Sequence, residues 1–175
     1  MIRRATALAI ILLAALPWPV HGAELSSLII ERLSHMKDVA AWKHAKGVAV
    51  EDLAHERVVI KSAAAAAAEK FIGPETITPF FTAQIEAAKA IQRCWLNRWD
   101  SGSALPPTTV PDLVNNIRPE LLRLGNEIVA AIAADLSQKG RVKLGDPSAI
   151  LEIDCLSAPA AGALIDALAQ VRLSS

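Results

Sequence analysis

Five polar side chains stand out for the chemistry they could do together: Arg32 and Lys43, Asp52 and Glu56, and Gln92. Two cations suit carboxylates. An acidic pair and an amide suit a hydroxyl and an ether or carbonyl oxygen. Each falls on or beside a helix face that is otherwise apolar, and a charge taken out of water is costly unless it is paired or serves a ligand. Together the five fit a small polyanionic ligand held inside a helical bundle. Each alone has a plainer reading. Arg32 and Lys43 could snorkel to water, Asp52 could serve only as an N-cap, Glu56 could pair with a surface cation, and Gln92 could be a satisfied core amide. Three successive helices would then need three unrelated explanations.

The elements that must position these groups follow from periodicity at about 100° per residue. A first helix over 25–45 carries the stripe Leu25, Ile29, Leu33, Met36 and Ala40, and ends near Gly47. Arg32 and Lys43 are 11 residues apart on its edge, a difference of only about 20° around the axis. A second helix, N-capped by Asp52 and running to Phe71, has Val59, Ile60, Ala63 and Ala67 on one face, with Asp52 and Glu56 on the same side. Its alanine run, Ala63 to Ala68, suits close packing against neighbours. Gly73 and Pro74 end it and open a third helix, 75–99, whose stripe is Phe81, Ile85, Ala88, Leu96 and Trp99, with Gln92 in its middle. The proline-rich segment 100–111 is a loop. A fourth helix covers 112–138 with a kink or restart at Pro119, and helices over 147–155 and 159–173 complete the chain. The expectation is all-α: one bundle of five to six helices, with no strand.

Composition agrees. Of 175 residues, 53% are hydrophobic, none is Tyr and three are Phe, and the abundance of alanine favours helix. The charge balances at 18 basic and 18 acidic residues, with no basic block for nucleic acid. The four histidines, His21, His35, His44 and His55, show no metal-ligand pairing.

Residues 1–23 read as a signal peptide: Arg3 and Arg4, an apolar run from Ala7 to Leu16, then Pro17 to Ala23 with small residues at the end. The run of about 10 residues is short of the roughly 20 that span a bilayer, although a retained anchor is the alternative. Cleavage after Gly22 or Ala23 would leave a mature chain, 24–175, with a charge of about −2. That places it in the periplasm or outside the cell, with no membrane attachment after cleavage. The lone pair Cys94 and Cys155 then suggests one disulfide, closing a loop of about 62 residues; two buried free thiols are the alternative.

The run Glu31-Arg32-Leu33, then Lys43, then Val50-Glu51-Asp52 with Glu56, resembles the all-helical chorismate mutase family. So does Phe80-Phe81-Thr82-Ala83-Gln84-Ile85, followed by Ala87, Lys89, Ile91 and Gln92. The leader and the long helical region after Trp99 point to its secreted subclass. The resemblance implies the type II fold, with a catalytic three-helix part over 24–99 and a C-terminal helical part over 112–175. It implies rearrangement of chorismate to prephenate with no cofactor, metal or covalent intermediate. Arg32 would bind a substrate carboxylate, Lys43 the ether oxygen and a carboxylate, and Gln92 the same ether oxygen from the other side. Asp52, through its backbone, and Glu56, through its side chain, would meet the ring hydroxyl. Secreted relatives add a cation from the later helices, for which Arg118 is a candidate, and imply a possible homodimer.

Two positions depart from the family pattern. His55 stands where a second carboxylate-binding Arg is usual, and Arg57 lies about 200° round the helix from it and cannot substitute. Ala88 stands where a small hydroxyl residue is usual, at the cost of at most one substrate hydrogen bond. His55 therefore keeps open a rival reading, a non-catalytic periplasmic binding module on the same fold. Retention of Arg32, Lys43, Glu56 and Gln92 argues against that rival, and the ordinary spacing with Gln92 argues against an isochorismate lyase.

Overall fold

The structure, a computed structural model, describes residues 25–175; the leader expected over 1–23 lies outside them. The described chain forms seven α-helices: α1 (Leu25–Ser34), α2 (Met36–Lys46), α3 (Leu53–Ala68), α4 (Pro74–Asp100), α5 (Arg118–Lys139), α6 (Ser148–Leu151) and α7 (Ala158–Ala169). A π-helical turn, Leu113–Ile117, leads into α5. The β pairing among these residues is limited to one isolated bridge, Ile72 with Leu173.

The predicted boundaries mostly hold because their chemistry is local. Gly47 ends α2 in the left-handed region, at φ 62°. The Asp52 carboxylate accepts from His55 N at 3.0 Å and starts α3. Pro74 occupies the first turn of α4, where a missing N–H costs nothing. Asp112 caps the π-helical turn through Val114 N and Asn115 N, and Pro119 falls in the first turn of α5.

Four expectations are corrected. The helix over 25–45 is two segments that meet at His35, whose carbonyl still accepts from Val39 N. The second helix stops at Ala68 rather than Phe71, because Phe71 takes a left-handed backbone, φ 57°, and Ile72 N turns back to Ala67 O. The helix over 147–155 shrinks to one turn, Ser148–Leu151, since Cys155 leaves helical geometry at φ 69°. The last helix ends at Ala169, not 173, freeing the tail to bond the α3–α4 turn through Gly73 N to Arg172 O and Ser174 N to Phe71 O.

The long α4 is the axis of the fold and packs against α2, α3 and α7, while α5 closes the other side against α1 and α3. Ile29, Phe80, Phe81, Leu124, Ile128 and Leu164 are fully buried at the centre. Within the alanine run only Ala63 and Ala67 are buried, one turn apart, so a single face of α3 makes the close approach. Cys94 on α4 is disulfide-bonded to Cys155, which ties the C-terminal segment to the axis.

Candidate active site

Between α1, α2, α3 and α4, with the start of α5 as its rim, lies one cavity. Arg32, Lys43, Asp52, His55, Glu56, Ala88 and Gln92 all line it. The seven positions that sequence reasoning assigns to substrate are thus brought together. Leu113, Arg118 and Leu121, from beyond the 100–111 loop, complete its wall. Ile85 and Ala88, half-buried members of the α4 stripe, line this cavity.

Arg32 and Lys43 are 8% and 7% exposed. Among the described residues neither meets a carboxylate at ion-pair distance; Arg32 Nη1 donates to Leu121 O and Lys43 Nζ to Val50 O. Burial pushes the Arg32 guanidinium down to about 10. It also holds Lys43 below the ordinary lysine value, with Arg118 and Lys89 acting the same way and Asp52 and Glu56 opposing. Two buried cations bonded only to carbonyl oxygens form a site with an unspent appetite for anions.

The N-terminal turn of α3 is a second cluster. Asp52 Oδ1 accepts from His55 N, Asp52 Oδ2 from Arg118 Nη2 at 2.9 Å, and Asp52 N donates to Glu56 Oε1 at 3.2 Å. The His55 N–H and then the Arg118 charge hold the Asp52 carboxyl below its ordinary value. Both backbone groups of Asp52 are engaged by Glu56. His55 lines the cavity, and burial followed by the Arg118 charge lowers its pKa. Arg57 is exposed, as its angle requires.

Gln92, 4% exposed, donates from Nε2 to Ala88 O at 3.1 Å and lies 3.6 Å from Met36 Sδ, while its Oε1 has no protein partner. The sulfur is a weak acceptor, so that N–H is readily given to a better one.

Two polar lining residues stand in the family-like run but were given no role from sequence. Lys89 is buried, with Nζ 3.3 Å from Glu56 Oε2 and 2.8 Å from Glu86 Oε1. Burial works against its charge, but the bonds from Glu86 and Glu56 carry its pKa above the ordinary value. Its signal was position, three residues and so one turn before Gln92. Gln84 is the other, at four-residue steps from Ala88 and Gln92.

A family model described as chorismate mutase type II matches residues 23–93. A secreted chorismate mutase from Yersinia pestis is 37% identical over 123 residues, 70% of this chain and 65% of that protein. A monofunctional chorismate mutase from Enterobacter agglomerans is 32% identical over 114 residues, 64% of this chain and 61% of that one. The alignments therefore span slightly less than two thirds of these relatives. The crystal structure of the secreted chorismate mutase from Yersinia pestis superposes with a TM-score of 0.78 at 32% identity, covering 87% of this chain and 99% of that one. That of a chorismate mutase from Burkholderia phymatum gives 0.68 at 28%, covering 84% and 93%.

Proposed function

This chain belongs to the type II chorismate mutase family, and on that premise we propose that it rearranges chorismate to prephenate, without a cofactor, outside the cytoplasm. The observation that carries the reading is the pair of buried cations, Arg32 and Lys43, that face one cavity with Gln92 and meet no carboxylate among the described residues. Chorismate is a dianion with an ether oxygen and a ring hydroxyl, the groups this lining complements.

In the rearrangement the ether C–O bond breaks as a C–C bond forms between the enolpyruvyl terminus and the ring, with no proton transferred. Arg32 and Arg118 take the carboxylates and hold the compact conformer in which the two carbons meet. Lys43 and Gln92 converge on the ether oxygen, which gains negative charge as its bond to the ring lengthens. Their dipoles and charge are already fixed by burial and by the bonds to Val50 O and Ala88 O, so little reorganisation accompanies the step. Glu56, steadied by Lys89 and Asp52 N, accepts the ring hydroxyl.

Export is supported by the leader pattern over 1–23 and by the description of the Yersinia pestis relative as secreted. We propose the organisation 1–23 signal peptide, 24–99 catalytic three-helix part and 112–175 C-terminal part, the last contributing Arg118 to the site. The test is a spectrophotometric assay of the purified chain lacking 1–23, with chelator present. Loss of chorismate with formation of prephenate is expected. No turnover, with chorismate still bound, would favour the binding-module reading that His55 keeps open.

A further inference from the structure

Gln84 has no role in the mechanism above. It is 1% exposed and lines the cavity that holds Arg32, Lys43 and Gln92. Neither its Nε2 nor its Oε1 meets a protein partner. Such a group is rare in a folded interior, because it gives up water and gains nothing in return. Gln92, by contrast, binds the Ala88 carbonyl. Gln84, Ala88 and Gln92 succeed one another at four-residue steps on α4 and share one side of that helix. Ala88, between the two amides, offers no polar side-chain atom.

Resting on the function proposed above, we propose that Gln84 contacts the substrate, its Nε2 donating to a carboxylate oxygen of the bound dianion. Lys43 and Gln92 serve the ether oxygen and Glu56 serves the hydroxyl. The substrate atoms still in need of donors are carboxylate oxygens, which only accept. A neutral amide adds a directed donor without adding another positive charge to a cavity already lined by Arg32, Lys43, Lys89 and Arg118. The carboxylates do not react, so the contact is equally present in the ground state and the transition state. Gln84 therefore acts on binding rather than on turnover.

The experiment is steady-state kinetics and thermal melting of Gln84→Leu and Gln84→Glu beside the wild-type mature protein. Gln84→Leu keeps the volume and removes both unpartnered polar atoms, so the melting temperature holds or rises. Its KM for chorismate rises about 10-fold or more while kcat stays within about 3-fold. Gln84→Glu sets an anion against a carboxylate and raises KM further. Should Gln84→Leu fail to fold, the longer and more flexible Gln84→Met carries the same expectation. An active wild type whose Gln84→Leu variant keeps the wild-type KM, with or without a lowered melting temperature, overturns the assignment and leaves the proposed function standing. A wild type that neither turns over chorismate nor binds it by calorimetry overturns both.

Discussion

Arg118 Nη2 lies 2.9 Å from Asp52 Oδ2, across 66 residues of sequence. The other oxygen of the same carboxylate caps α3 through His55 N. One side chain thus starts α3 and holds a cation delivered by the first turn of α5. The Arg118 Nε is buried without a partner, so the guanidinium keeps donor capacity for an anion after Asp52 is satisfied.

The two duties of Asp52 separate by substitution. Asp52→Ala loses the cap, which typically costs about 1 kcal/mol, or about 2–4 °C in a chain of this size. Asp52→Asn keeps a capping oxygen and loses the ion pair, so it melts nearer to wild type while binding chorismate differently, because Arg118 is released. The folded pKa of Asp52 is depressed. Its contribution to stability is therefore present above the unfolded value of about 3.9 and lost as pH falls through the folded value. Melts from acid to neutral pH should show a shallower acid limb for Asp52→Asn than for wild type. Identical limbs would contradict the role of the ionised carboxylate.

Lys43→Ala should lower kcat by at least about 100-fold, the usual loss when one donor to developing oxyanion charge is removed, about 2.7–4 kcal/mol. Gln92→Ala should fall heavily as well. Lys43 must be charged to act, and its pKa is lowered by burial. The alkaline limb of kcat/KM, which reports the free enzyme, therefore begins below the ordinary lysine value of about 10.4. A Lys43→Ala variant as active as wild type would remove the catalytic assignment.

What could be read in advance was what local periodicity and cap chemistry encode. Arg32 and Lys43 share a helix edge because 11 residues return almost to the same angle, and the break at His35 does not carry Lys43 out of the cavity. Asp52, Gly47 and Pro74 announced their boundaries because each acts on its own turn. Arg118 could be named only through resemblance, since its partner lies beyond a proline-rich loop and no periodicity spans that gap. The part played by Lys89 and Gln84 in the cavity was hidden for another reason. Both sit on the face of α4 that turns to α3 and the cavity, and a lysine or glutamine in an amphipathic helix reads first as a solvated residue. Phe71 and Cys155 shortened two expected helices through left-handed backbone, which tertiary ties at the tail and the disulfide impose.

The Cys94–Cys155 bond, at a sequence separation of 61, should contribute roughly 4 kcal/mol in the chain-entropy model. The double variant Cys94→Ala/Cys155→Ala should therefore melt about 8–16 °C lower, while the active-site residues, of which Arg118 is the one charged group inside the closed loop and is held by Asp52, keep their places. Intact mass with and without reductant should differ by the two hydrogens of one disulfide. Two thiols in the protein isolated under oxidising conditions would contradict the bond.

His55 carries the sharpest expectation. Its imidazole faces the charges of Arg118, Asp52, Lys43 and Arg32, and burial, then the net positive surroundings, hold its pKa below the ordinary histidine value. A depressed histidine pKa contributes stability above the unfolded value, and that contribution is lost as pH falls toward the folded value. Substrate acts in the opposite sense. A dianion beside His55 favours the protonated ring, so chorismate binds with proton uptake and KM improves toward mildly acidic pH. His55→Arg makes the charge permanent and presents a planar fork to a carboxylate. Catalytic efficiency at neutral pH should rise about 10-fold or more, from a charge-assisted contact of roughly 1.5–3 kcal/mol, and the acid improvement should flatten. The same substitution adds a cation among Arg118, Lys43 and Arg32, so the substrate-free variant should melt lower than wild type and recover on adding chorismate. Kinetics across pH 5–8 together with melts in the presence and absence of substrate measure both arms. An unchanged efficiency and pH profile would mean that Arg118 alone holds that carboxylate and that the imidazole, although it lines the cavity, does not touch the substrate.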